Sequence, residues 1–296
     1  MNIPNFLIVG AAKSGTSSLH NYLSMHDEIC MPTVIKELNF WHVLNHEQDR
    51  AILKLSNLYP LSPEAYTDCF SHRTSNQITG ESSPSYLYYY EDTVNNLKAL
   101  KANWEETRII IILREPIDKI WSHFKFCRNY QLDPENLSLE EALKQEETRL
   151  VDTSLLLDLY YVDNTRYYDQ VKHYLENFKN VKILLYDDFK KDAQATLDEI
   201  TQFLGIANFT PQNLREKYNV ANPAVVPKKG FKLIQGKGLA RYFPKFIRKA
   251  VSGFLVKNEE IDAYSREFLV KTFKLEIEKL NVLIENDLSP WLKKYE

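Results

Sequence analysis

Phe6-Leu7-Ile8-Val9 runs without a polar residue into Gly10-Ala11-Ala12-Lys13-Ser14-Gly15-Thr16-Ser17-Ser18. The pattern predicts a buried strand, a glycine-punctuated turn and the start of a helix. Small residues in such a turn let the backbone approach an anion closely. The amides of the helix start then point at that anion, and the helix dipole favours negative charge there. Lys13 adds a point charge inside the loop. The stretch therefore suits a phosphate-like group, the alternative being an ordinary strand-to-helix connection.

Outward from this stretch, continuous apolar runs predict further buried parallel strands over Arg108–Leu113 and Val181–Tyr186, with a shorter one over Gln77–Gly80. Helical spacing covers Ser17–Met25, Thr93–Ala102, Pro116–Arg128, Leu139–Glu147, Arg166–Phe178, Ala193–Leu204 and Ile261–Ile284. Strands alternating with helices predict an α/β fold with a central parallel sheet flanked by helices. A chain of 296 residues with 44% hydrophobic content fills one large domain, residues 1–296. The stretch Lys217–Asn258 holds ten Lys/Arg and no Asp or Glu, and its prolines and glycines predict a basic loop or lid inserted at about 217–258.

Charge and cysteine usage exclude several classes. A net charge of −3 argues against a general nucleic-acid binder. Cys30, Cys69 and Cys127 lie far apart, and neither they nor the histidines show metal-ligand spacing, so reduced core thiols and no required metal are expected. A strand beginning at residue 6 leaves no room for a signal peptide, and no run is long enough to span a membrane. A cytoplasmic protein is expected. Peripheral membrane contact through the basic, aromatic stretch 241–257 is an alternative to a solvated helix face or a lid.

Four further stretches carry chemistry. Leu113-Arg114-Glu115-Pro116 follows the most hydrophobic strand, with Ser122 eight residues beyond Arg114. Ligands of open parallel sheets bind at the carboxyl ends of strands, so Arg114 falls on the same edge as the Lys13 loop. Lys36-Glu37-Leu38-Asn39-Phe40-Trp41 offers a carboxylate beside a cation, in isolation an ordinary solvated pair. Gly80-Glu81-Ser82-Ser83-Pro84-Ser85-Tyr86 leads into a tyrosine-rich run, and Lys228-Lys229-Gly230-Phe231 sits in the acid-free segment.

In a Walker A loop the Lys directly follows the second Gly; here Lys13 precedes Gly15 by two residues. The pattern G-x-x-K-S-G-T-[ST] resembles the 5′-phosphosulfate loop of sulfotransferases that use PAPS (3′-phosphoadenosine 5′-phosphosulfate). The Leu113–Pro116 stretch with Ser122 resembles their 3′-phosphate site. Lys36–Trp41 resembles the K-E-x-x-[FY]-[FW] element of carbohydrate-directed members, and Asn286–Trp291 resembles their C-terminus, with Trp as a packing anchor. The resemblance spans Phe6 to Trp291.

It implies a P-loop-kinase-like three-layer fold and transfer of a sulfuryl group from PAPS, leaving the product PAP (adenosine 3′,5′-bisphosphate). Lys13, Ser14, Gly15, Thr16, Ser17 and Ser18 would hold the 5′-phosphosulfate. Arg114, Ser122 and the Lys228, Lys229, Gly230 loop would hold the 3′-phosphate. Glu37 would be the catalytic base, Lys36 would orient it or sit near the sulfuryl oxygens, and Ser83 and Tyr86 would border the acceptor. His42 and His123 are secondary candidates for the base. The expected acceptor is a hydroxyl on a glycan or glycolipid, with a small alcohol or phenol as the alternative. A P-loop nucleotide kinase or ATPase is the competing enzyme class, and a degenerate nucleotide-binding module the non-enzymatic one. The strand before Arg114 ends in a cation, where a kinase of this kind needs a metal-binding Asp.

Overall fold

Ile109-Ile110-Ile111-Ile112 is apolar at every position, so both faces of the strand must be covered. The computed structural model describes residues 4–44, 59–128, 135–151, 159–212, 214 and 260–296, and all four isoleucines are fully buried in it. The strands are β1 (Phe6–Gly10), β2 (Ile29–Cys30), β3 (Ile78–Ser82), β4 (Arg108–Leu113) and β5 (Val181–Leu185). They form one sheet in the order β2-β3-β1-β4-β5, and every pairing is parallel. The described helices are α1 (Thr16–Leu23), α2 (Phe40–Val43), α3 (Pro63–Asp68), α4 (Ser85–Tyr88), α5 (Tyr90–Leu100), α6 (Pro116–Arg128), α7 (Leu139–Lys144), α8 (Glu146–Val151), α9 (Tyr167–Asn177), α10 (Tyr186–Lys191), α11 (Ala193–Leu204), α12 (Ala263–Leu283) and α13 (Ser289–Leu292).

The chain divides into two compact units. One comprises Met1–Lys119, Asp163–Asn219 and Leu269–Glu296, and it contains the whole sheet. On one face of that sheet Phe6, Ile8, Ile110, Ile112 and Leu184 pack with Leu19 and Leu23 of α1 and with Leu197, Ile200 and Leu204 of α11. Side chains alternate along a strand, so Leu7, Ile109 and Ile111 face the opposite way. There α4 packs on β1 and α9 contacts α4 and α5. In the register Phe6 lies opposite Gly80, where a Cβ would stand 2.0 Å from the Phe6 ring. Only glycine lets β1 and β3 meet there.

The second unit comprises Ile120–Val162 and Val220–Phe268. Its described part holds a buried bidentate ion pair. Arg149 Nη1 and Nη2 donate to Glu135 at 2.6 and 3.2 Å, and the Tyr161 hydroxyl donates to the same carboxylate at 3.0 Å. Glu146 accepts the backbone amides of Tyr161 and Val162, and a capping box between Ser138 and Glu141 starts α7.

Sequence pattern and structure differ in places. β3 extends beyond Gly80 to Ser82, and Tyr186 opens α10 instead of ending β5. The helix expected over Leu139–Glu147 is two, α7 and α8. β2, α2, α3, α4 and α10 span two to six residues each, too short for periodicity to register. The basic segment at 217–258 lies outside the described residues.

Gly80→Ala is expected to destabilise the protein by about 1–3 kcal/mol, the usual cost of overpacking. Urea denaturation measures this. The double variant with Phe6→Leu, which removes the ring, should recover part of the loss.

Candidate active site

The first loop is built by two residues with left-handed backbone, Lys13 at φ 66° and Gly15 at φ 93°. Gly15 caps α1, and its carbonyl accepts the amides of Ser18 and Leu19 at 3.0 and 3.1 Å. A Cβ on Gly15 would press to 3.2 Å against the rings of Tyr186 and Phe189. Helix geometry leaves the earliest amides of α1 without intrahelical acceptors. Ser14 is fully buried, its hydroxyl beside that of buried Tyr167. Together the glycine cradle and the first-turn amides fit an anion on this loop.

The second motif meets the first directly. Arg114 leaves the end of β4, and its Nη1 donates to the Lys13 carbonyl at 3.0 Å. The guanidinium also stacks 4.8 Å over the Tyr186 ring. A guanidinium has five N–H donors, so one bond to Lys13 leaves others for a phosphate. The next residue, Glu115, caps α6 by accepting the amides of Ile117 and Asp118 at 3.0 and 2.8 Å. It also accepts the hydroxyl of Tyr295, near the C-terminus. Burial raises the Glu115 carboxyl, opposed by these hydrogen bonds. The expected C-terminal anchor is in place: Trp291 is buried and donates to Asp187 at 3.2 Å. Sequence reading missed Tyr167, which is buried beside Ser14 and Arg114 with its phenol raised by burial.

The third motif is held near α1. Lys36 and Glu37 form an ion pair, with the Glu37 side chain 46% exposed and Lys36 more covered. Burial, and then the Lys36 charge, lowers buried His20 of α1 to about 4, so this imidazole is neutral at physiological pH. Of the secondary candidates, His42 is buried and stacked on Tyr89, with ring centroids 4.6 Å apart. His123 is buried in the second unit against Tyr161.

Behind the Lys36–Trp41 stretch lies a buried carboxylate to which sequence reading gave no role. Glu81, in β3, accepts the hydroxyls of Ser83 at 2.5 Å, Tyr66 at 2.7 Å and Tyr86 at 2.8 Å. Burial pushes its carboxyl up to about 7 against the opposing pull of these bonds. Ser83 and Tyr86, expected at the acceptor, are fully buried with their hydroxyls on Glu81, so neither presents a group to a ligand here. Ser122 lies buried on α6 in the second unit. Lys228, Lys229 and Gly230 lie outside the described residues. Among the described residues, no group of His, Cys, Asp and Glu could hold a metal ion, and no helix is long and apolar enough to cross a membrane.

A glycine-and-lysine anion loop between β1 and α1, bridged to an arginine at the end of the neighbouring strand, defines an α/β group-transfer protein that handles phosphate-like anions. The sulfotransferase domain model matches residues 4–280, and the chain belongs to the sulfotransferase family, transferases that use PAPS. It is 24% identical over 306 residues to mouse bifunctional heparan sulfate N-deacetylase/N-sulfotransferase 4, an alignment covering 99% of this chain and 31% of that protein. A sulfotransferase from Alicyclobacillus acidocaldarius superposes with a TM-score of 0.73 and 26% identity, over 98% of this chain and 99% of that one. Mouse sulfotransferase SULT7A1, solved with PAP, shares the fold at a TM-score of 0.53 and 16% identity, over 100% of this chain and 91% of that one. These neighbours bear out the expected P-loop-kinase-like layers.

The raised Glu81 carboxyl sets a pH dependence. The folded protein keeps this proton where the unfolded chain has lost it, so the stabilisation is present below about pH 4.5 and lost as pH rises through about 7. The span corresponds to about 3 kcal/mol. Urea denaturation should show the stability of the native chain, relative to Glu81→Gln, falling from pH 5 to pH 8.

Proposed function

We propose that this chain moves the sulfuryl group of PAPS to a hydroxyl on a glycan or glycolipid. The observation that carries this reading is the Arg114–Lys13 hydrogen bond, which joins the two phosphate motifs at one edge of the sheet. Lys13, Ser14 and the amides of Gly15, Thr16 and Ser17 hold the 5′-phosphosulfate, with Ser18, whose amide bonds the Gly15 carbonyl, contributing through its hydroxyl. Arg114 holds the 3′-phosphate, with Ser122 and the Lys228, Lys229, Gly230 loop as its expected companions. When bound, PAPS supplies the sulfuryl group.

Glu37, exposed beside Lys36, takes the proton of the acceptor hydroxyl as its oxygen bonds to sulfur. Lys13 and the first-turn amides stabilise the charge that collects on the leaving 5′-phosphate. Lys36 orients Glu37. Positioning and charge stabilisation do most of the work in such transfers. Ser83 and Tyr86 serve as buried supports and not as acceptor ligands, since their hydroxyls bind Glu81.

The name of the mouse relative favours a second reading, an amine acceptor on the glycan. Radiolabelled PAPS offered to N-acetylated and N-deacetylated oligosaccharides separates the two. Label on both means a hydroxyl acceptor, and label on the free-amine form alone means nitrogen.

Glu37→Gln should lower turnover at least a hundredfold, within the usual range for general-base loss, and leave PAP affinity within twofold. Lys13→Ala should abolish transfer. Arg114→Ala should weaken PAP at least tenfold more than adenosine 5′-phosphate, measured calorimetrically. Equal losses for both ligands would remove Arg114 from the 3′-phosphate.

A further inference from the structure

We propose that Glu81 is a positioning residue for Glu37: its buried carboxylate fixes the Leu38–Trp41 backbone that carries the base. The proposal rests on the reading of Glu37 as base. Three hydroxyls converge on Glu81, and each also accepts an N–H from the segment just after Glu37. Ser83 Oγ accepts the Asn39 amide at 3.1 Å, and the Tyr86 hydroxyl accepts the Trp41 amide at 3.3 Å. The Tyr66 hydroxyl accepts the Trp41 indole N–H at 3.0 Å. The Leu38 amide adds to the stabilisation of the carboxylate charge. Asn39 receives the Ser85 hydroxyl at 2.7 Å, and the Trp41 carbonyl receives Asn96 at 2.7 Å, closing the segment from outside.

A hydroxyl has one proton. Ser83, Tyr66 and Tyr86 each accept an N–H from the segment, and each gives its own proton to Glu81. An ionised carboxylate accepts all three with no proton of its own to place. If Glu81 is protonated, its own O–H needs an acceptor, so at least one of the three links must turn or break. No cation pairs with Glu81 among the described residues, although burying an unpaired charge is costly. The carboxylate therefore sits at a stability cost, offset by a network that an apolar side chain could not form.

The titratable groups facing Glu81 are Tyr66 and Cys69, from α3 and its C-terminal cap, and Tyr86 of α4. Burial raises all three, leaving them neutral near pH 7. Glu81 is then the acid of this cluster that changes charge around neutrality, where burial places it; His42 of α2, whose ring lies 5.8 Å from that of Tyr86, is the neighbouring imidazole, and Glu81→Gln separates its effect from that of Glu81. Above that pH the three-hydroxyl network is complete and Glu37 is held in place. Below it the Leu38–Trp41 segment loosens.

The test uses the ¹⁵N-labelled full chain between pH 5.5 and 8.5. The Trp41 indole and Asn39 amide resonances should titrate together with a midpoint near 7, and Glu81→Gln should abolish that titration. The same variant should shift the Lys36 to Asn39 amides, leave those of Gly15 to Ser18 in place and bind PAP within twofold of the native chain. With PAPS and an N-deacetylated heparosan oligosaccharide as probe, its kcat should fall at least tenfold at unchanged KM for PAPS. Glu81→Asp, which keeps the charge on a shorter arm, should restore part of the titration, and the native titration needs no variant to fold. Absence of a shared midpoint in the native chain, or unmoved Lys36 to Asn39 amides in Glu81→Gln, would overturn the proposal. Full turnover in Glu37→Gln with the shared titration intact would instead remove the base assignment and leave the coupling standing.

Discussion

The Arg114 guanidinium reaches the Lys13 carbonyl across 101 residues of sequence. That bond is possible because β1 and β4 are adjacent and parallel, so the turns that follow them leave the sheet on the same edge. It also depends on Lys13 adopting a left-handed backbone, which turns its carbonyl toward the arginine instead of into the helix. Tyr186, the first residue of α10, touches both loops: its ring carries the guanidinium and would stand 3.2 Å from a Cβ on Gly15. Three turns, after β1, β4 and β5, are thus locked to one another around the place where an anion fits.

Buried polar groups do the rest of the positioning. Glu115 ties the turn after Arg114 to the chain terminus through Tyr295, so the C-terminal residues brace the arginine from behind. Lys119, fully buried, donates to Asn164 and Thr165 at 2.7 and 2.9 Å and pins the stretch before α9. Glu81 does the same for the segment after Glu37. In each case a charge is kept dry and satisfied by several partners. Such networks rigidify when complete and are costly when broken.

Much of the sheet was legible because β1 is apolar through its length, β4 is apolar after Arg108 and β5 is apolar but for Lys182, and the anion loop because its glycines and lysine sit at a strand–helix junction. Arg114 was legible for the same reason: a cation directly after a buried strand has one edge to occupy. Periodicity was silent on β2 and the short helices α2, α3 and α4, which are held by tertiary contacts such as Trp41 on Tyr66 and not by local pattern. For Ser83 and Tyr86 the sequence shows a polar residue and a tyrosine but not that both hydroxyls turn inward to a carboxylate. Glu81 gave no signal of its own, because the strand expected from the apolar pattern stops at Gly80 and β3 runs on to Ser82. Its partner Tyr66 lies 15 residues earlier, beyond the reach of any local motif.

Recognition by the joined loops of a nucleotide phosphorylated at both 3′ and 5′ positions is the central proposal. Calorimetric titration with adenosine 3′,5′-bisphosphate, set against ADP and against ATP with Mg²⁺, tests it most directly. Tight binding of the bisphosphate that does not change with Mg²⁺, and weak binding of the others, is the predicted result. Preferential Mg²⁺-dependent binding of ATP would contradict it.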